Sequence, residues 1–227
     1  MGLHGPKSFD MMREISGDNQ EIINLKYYQF IETSLFDIPV VVARSGWSNQ
    51  KSYEIYILKE SDGNPLWNHM MEAGKAFNIA PGAPNQIDRI QAGMISHGGD
   101  TTLAENPLEL NLPKFCDLDQ DANFIGKEAL KRIRNEGIKK QFTGFKISGS
   151  KIAYNLRRMT ICDQAGKEQG FVTSCIFSPS FETNIGLGYI SIENVNSKDT
   201  YKVTVDEEER DLEVAQLPFA SRLEKMK

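Results

Sequence analysis

The sequence predicts an α+β protein whose first half mixes helices and strands and whose second half is built almost entirely of strands. Two observations carry this. Residues up to about 136 alternate short apolar strand candidates with segments whose apolar residues recur at the helical period. Beyond residue 140, strand-like runs follow one another at even spacing with turn residues between them, the signature of a small barrel or sandwich. The boundary falls near residues 136–142, giving domains 1–136 and 137–227 of the 227-residue chain.

Pro6 to Ile15 reads as a short helix after a Gly-Pro turn, ended by Gly17-Asp18. Asn24 to Glu32 is an aromatic-rich strand candidate, followed by strands at Ile38–Ala43 and Tyr53–Leu58. Asn64 is positioned to cap a helix beginning at Pro65, in which Leu66, Trp67, Met70, Met71, Gly74 and Phe77 form the core-facing stripe. A second helix runs from Pro84 to about His97, with Ile87, Ile90, Met94 and Ile95 inward and Arg89 beside them. Thr101 to Asp121, with Pro107 and Pro113, is a long irregular stretch of the kind that carries function or bridges domains. Gly126 to Glu136 is a short helix stopped by Gly137. Strands follow at 142–148, 171–177, 186–192, 200–205 and 212–217, with Asp206 to Glu209 as a charged hairpin tip.

Composition excludes several classes. Apolar residues make up 40% and charged residues 25%, the profile of an ordinary globular chain. A net charge of −5 and the lack of a dense Lys/Arg cluster argue against nucleic-acid partners. Lys131, Arg132, Arg134, Lys139 and Lys140 are diluted by Glu128 and Glu136 and read as a solvated helix face. No apolar run of about 18 residues is present to span a membrane. Cys116, Cys162 and Cys175 are odd in number and far apart, as expected of reduced cytoplasmic thiols. His4, His69 and His97 lack metal-ligand spacing, so no metal is expected, and Gly98-Gly99-Asp100 lacks the Lys of a phosphate loop.

The segment Arg44 to Tyr56 holds the densest chemistry. Ser45-Gly46 and Ser48-Asn49 are turn formers between two strands. On the second strand Tyr53, Ile55 and Ile57 share one face, and Glu54 and Tyr56 the other. An acid beside Trp47 and Tyr53 has two readings. It is either a solvated glutamate on an outer sheet face, or an acceptor for a flat heterocycle offering two parallel N–H donors, such as the aminopyrimidine edge of a pterin. Arg89 likewise pairs either with a protein carboxylate or with a ligand carboxylate.

Seven segments, in order, resemble the folate-dependent aminomethyltransferase family typified by the glycine cleavage T-protein. Leu3-His4-Gly5-Pro6-Lys7-Ser8 resembles its LxxQGPxA turn, and Tyr53-Glu54-Ile55 its GxEI strand. Arg89-Ile90-Gln91-Ala92-Gly93-Met94 with Gly98-Gly99-Asp100 resembles LRLEAGxxLYGxD, although Gln91 stands where the family has Glu. Asn106-Pro107-Leu108-Glu109 is similar to TPLEAGL, with Asn111 and Leu112 interrupting the pattern. Phe124 to Leu130 is similar to DFIGREAL, Gly170 to Pro179 to GxVTSGxxSPTL, and Leu217-Pro218-Phe219 to the terminal LPF. The loop Ser45-Gly46-Trp47-Ser48 through Tyr53-Glu54-Ile55 is similar to the dimethylsulfoniopropionate demethylase branch, with Lys51-Ser52 in place of two glycines.

This resemblance implies the second part of the family's folate-binding fold followed by a C-terminal β-barrel, with the family's preceding stretch, including a catalytic Asp, lying before the first residue here. It implies tetrahydrofolate as cofactor and one-carbon transfer as the reaction. The small-molecule donor is then a sulfonium or, in the aminomethyltransferases, a lipoyl-carried aminomethyl group. A third reading is a non-catalytic folate-binding relative, for which Cys175 is the thiol to examine, and a fourth is an inactive fragment. In the demethylase reading Glu54 holds the pterin edge, Tyr53 flanks the folate, Trp47 faces the sulfonium cation and Arg89 pairs with a folate carboxylate.

Overall fold

The computed structural model describes residues 1–47, 51–112, 115–155 and 157–219. The described chain forms two compact units, Met1–Ala83 and Pro84–Phe219. Among the described residues no helix is long and apolar enough to cross a membrane.

In the first unit, β1 (Gly2–His4), α1 (Ser8–Ile15), α2 (Gln20–Ile23), β2 (Phe30–Leu35), β3 (Ile38–Ala43), β4 (Ser52–Ile57) and α3 (Gly63–Ala73) follow in order. The strands form an antiparallel sheet in the order β1-β4-β3-β2. Alternation along β4 sends Tyr53 and Ile55 into the core with Val40, Val42, Met11, Met12, Leu66 and Met70, and leaves Glu54 and Tyr56 on the other face. Ile57, expected inward with Tyr53 and Ile55, is 37% exposed where the strand runs out of the sheet.

Three sequence expectations change here. The aromatic segment 24–32 is not one strand: Tyr28 has φ +68°, which an extended chain cannot accommodate, so β2 begins only at Phe30. It then turns into β3 through Phe36 and Asp37, whose positive φ values of 53° and 62° are those of a tight hairpin. α3 starts at Gly63 with Asp62 preceding it, so Asn64 lies inside the helix and does not cap it. Its buried residues are Leu66 and Met70, with Gly74 buried at the C-cap; Trp67, one position round, is 42% exposed.

The second unit contains α4 (Gln86–Gln91), α5 (Lys127–Glu136) and six strands. α4 is capped by Asn85, whose side chain accepts from the Asp88 N–H. The helical pattern continues in sequence towards His97, but Gly93 takes φ +68° and the helix ends at Gln91. Residues 101–121 are irregular among the described positions, and Pro113 lies outside them. The strands β5 (Lys140–Ile147), β6 (Met159–Cys162), β7 (Glu168–Ser178), β8 (Thr183–Ser191), β9 (Thr200–Val205) and β10 (Glu208–Ala215) close into a barrel in the order β10-β5-β8-β7-β6-β9. The choice between barrel and sandwich is thereby made. Closure leaves no open edge, and Phe145, Ile147, Ile161, Val172, Val203, Val205 and Leu212 fill the interior. β6 has no counterpart among the predicted strands. The charged hairpin tip is shorter than expected: only Asp206 and Glu207 have positive φ, while Glu208 and Glu209 pair with Val205 and Thr204 in the ladder.

Candidate functional site

The β3–β4 loop is tied to its strands from below. Arg44 is 7% exposed; its guanidinium donates to the Ser52 carbonyl at 2.7 Å and lies 4.4 Å from the Phe9 ring centroid. The Ser52 hydroxyl donates to the Ser45 carbonyl at 2.8 Å. Position 46 must be glycine for this approach, since a Cβ there would sit 1.8 Å from the Ser52 Oγ.

Ser45, held in this way, donates its hydroxyl to Oε2 of Glu54, and the Tyr56 hydroxyl donates to the same oxygen at 3.3 Å. Oε1 of Glu54 has no hydrogen-bond partner among the described residues. The Glu54 charge raises the Tyr56 phenol above its usual range, which keeps it a neutral donor. Trp47 is half-buried in the same loop, while Ser48, Asn49 and Gln50 lie outside the described residues. The result is a half-buried carboxylate with one oxygen occupied and the other without a partner among the described residues.

Tyr53 lies on the opposite face. It is 1% exposed and packs edge-on against Phe9 with ring centroids 5.2 Å apart, and burial raises its phenol above the usual range. A ligand contact by this ring would require the core of the unit to open. The loop thus joins Ser45 to Glu54, and the strand adds Tyr56, but Tyr53 faces the core.

Arg89 belongs to the second unit, and its guanidinium is engaged at every nitrogen. Nε donates to Gln86 Oε1 at 2.7 Å, Nη1 to the Met94 carbonyl at 2.9 Å and to the Asp100 carboxylate, and Nη2 to Ser174 Oγ at 3.0 Å. Asp100 is fully buried and also accepts from the Ser96 N–H and from the Thr173 and Ser174 hydroxyls. A bulge in β7 makes this possible. The register against β8 shifts between Val172 and Ser174, so neighbouring hydroxyls that would point to opposite faces both reach Asp100. Of the two readings open for Arg89, the protein carboxylate is the one realised here.

Cys175 is completely buried in β7, and loss of solvation pushes its thiol up to about 12. A thiol so buried is a poor nucleophile. Of the partners Ser45, Tyr56, Asp100, Thr173 and Ser174, the sequence signalled only Tyr56, by its place two residues from Glu54 on one strand.

Residues 1–120 match the model of the GCVT N-terminal domain, and residues 140–220 that of the glycine cleavage T-protein C-terminal barrel domain. The chain belongs to the glycine cleavage T-protein family. Members similar to it include dimethylsulfoniopropionate demethylase DmdA of Ruegeria pomeroyi, 33% identical over 84% of this chain and 50% of that protein. An aminomethyltransferase of Halothermothrix orenii is 30% identical over 96% of this chain and 60% of its own length. The chain therefore spans half to three-fifths of the length of these relatives. The fold matches the crystal structure of the glycine cleavage system aminomethyltransferase T from Bartonella henselae, with a TM-score of 0.75 at 21% identity, covering 95% of this chain and 58% of that one.

Proposed function

We propose that this T-protein-family chain supplies the Glu54 face of a tetrahydrofolate site used in one-carbon transfer. The observation that carries the reading is the Glu54 carboxylate itself: half-buried on the sheet face away from the core, held through Oε2, with Oε1 unpartnered among the described residues. These residues fit a pterin, whose aminopyrimidine edge presents such donors. Tetrahydrofolate, when bound, supplies the nitrogen that takes up the one-carbon unit. Glu54 would hold and orient the pterin edge, and the Trp47 indole would offer a face to a cationic donor group.

For the donor we favour a sulfonium, with demethylation of dimethylsulfoniopropionate as the reaction, on the Trp47 loop and on the likeness to the Ruegeria pomeroyi enzyme. The likeness to the Halothermothrix orenii aminomethyltransferase supports a lipoyl-carried aminomethyl group as the second reading. Tyr53 and Arg89 are left out of the proposal: Tyr53 is buried in the core of its unit, and the Arg89 guanidinium is engaged within its own. We retain 1–136 and 137–227 as the proposed functional division.

The test is a tetrahydrofolate titration of the purified chain followed by tryptophan fluorescence. Both tryptophans, Trp47 and Trp67, lie in the same unit as Glu54. Saturable binding that weakens at least about tenfold in Glu54→Gln supports the reading, since that change removes a charge-assisted pair. Unchanged affinity in the variant refutes it.

A further inference from the structure

The occupied oxygen of Glu54 has a consequence for which residues select the ligand. We propose that Ser45 is the positioning residue for Glu54: its hydroxyl, supported by that of Tyr56, holds Oε2 and turns Oε1 outward as the single acceptor offered to an incoming N–H group. The inference rests on the reading of Glu54 as the ligand-holding acid.

A free glutamate on a strand rotates about its side-chain torsions and presents either oxygen, or both, to a donor. Here two hydroxyls converge on Oε2 from different directions, one across the loop and one along the strand. An oxygen that accepts two donors has both lone-pair directions filled. A ligand with two parallel N–H donors therefore meets the carboxylate through Oε1, and a symmetric fork onto both oxygens would have to displace Ser45 or Tyr56.

The Ser45 hydroxyl does not wander, because its backbone is anchored independently of it. The Ser45 carbonyl takes the Ser52 hydroxyl, and the Ser52 carbonyl takes the Arg44 guanidinium. Replacing the Ser45 side chain thus releases the carboxylate while leaving the loop tied down. Tyr56, 51% exposed, is the looser of the two supports.

The experiment titrates the full chain with tetrahydrofolate and with an analogue lacking the 2-amino group of the pterin, in wild type, Ser45→Ala, Ser45→Thr, Tyr56→Phe and Glu54→Gln. Wild type is expected to favour tetrahydrofolate by no more than about threefold, because the analogue's remaining N–H reaches the single open oxygen. Ser45→Ala should raise that preference to about tenfold, because the freed Oε2 can then take the second donor as a charge-assisted hydrogen bond, and Ser45→Thr should return it to the wild-type ratio, because the hydroxyl returns. Tyr56→Phe should have the smaller effect. The positioning role is overturned if Ser45→Ala leaves the ratio at or below its wild-type value, or if Ser45→Thr behaves like Ser45→Ala. A merely structural contribution would weaken both ligands equally and leave the ratio untouched, which also overturns the proposal. If Glu54→Gln keeps both affinity and preference, the failure lies with the ligand-site reading. If Glu54→Gln loses affinity and Ser45→Ala leaves the ratio unchanged, that reading stands and only the role of Ser45 falls.

Discussion

Removing the Asp100 carboxylate should be among the most costly single changes in the second unit. Asp100 has a completely buried side chain, and that of its ion-pair partner Arg89 is 10% exposed. Asp100→Ala would leave the guanidinium charge in a dry site with no counter-ion, a loss of about 3–5 kcal/mol. It would also orphan the Ser96 N–H and the Ser174 hydroxyl proton, while the Thr173 hydroxyl keeps the Leu187 carbonyl at 3.0 Å as an acceptor. These losses overlap, so a total of about 4 kcal/mol is expected rather than their sum. Hydrogen exchange read by mass spectrometry on β7 and β8 peptides should then quicken by about a thousandfold. Arg89→Met combined with Asp100→Leu should recover much of the loss, because an uncharged pair needs no compensation; about 1–2 kcal/mol should remain for the orphaned Ser96 N–H and hydroxyls. A loss below about 1 kcal/mol in Asp100→Ala, or strict additivity in the double variant, would refute the reasoning.

Two further outcomes follow from burial. Ser8, the first residue of α1, is 2% exposed and its hydroxyl has no partner among the described residues. Ser8→Ala should therefore be neutral or stabilising by up to about 1 kcal/mol, seen as an unchanged or higher melting temperature; a clear drop would show that the hydroxyl is used. Cys175 should resist maleimide in the folded chain at pH 8 while the half-buried Cys116 and Cys162 react. Its thiol is raised from an ordinary value of 9.0 to about 12, so the stabilisation linked to it is complete below pH 9 and is lost as the pH rises towards 12. The slope is at most about 1.4 kcal/mol per pH unit, and Cys175→Ala should flatten the alkaline limb of the stability curve; an equally steep limb in that variant would contradict the assignment.

Patterns with a short period were legible in the sequence. The alternation around Glu54 told which residues share its face, because a strand admits only two faces and β4 is regular from Ser52 to Ile57. Patterns that depend on where an element stops were not. The apolar spacing from Ile87 to Ile95 continues smoothly, yet Gly93 breaks the helix through a backbone angle that spacing does not encode. Trp67 satisfies a helical repeat as well as Leu66 does, but the helix buries a stripe narrower than the repeat allows. β6 escaped because four residues, Met-Thr-Ile-Cys, carry too little pattern to stand out. Its place is set by partners on both sides, β7 and β9.

By itself, the sequence determined the α+β division, the strand-rich second half, the outward placement of Glu54 on its strand and, through ordered motifs, the resemblance to a folate-dependent family. These are properties of local periodicity and of residue order, both written along the chain. Only the tertiary structure decided who holds what. Ser45 reaches Glu54 across a loop, and Asp100 gathers Arg89, Thr173 and Ser174 from segments more than seventy residues apart in two cases. Tyr53 was taken out of reach by the same alternation that exposed its neighbour. Hydrogen bonds of this kind form where backbone geometry, including one bulge in β7, brings side chains within about 3 Å, and nothing in residue order specifies that distance.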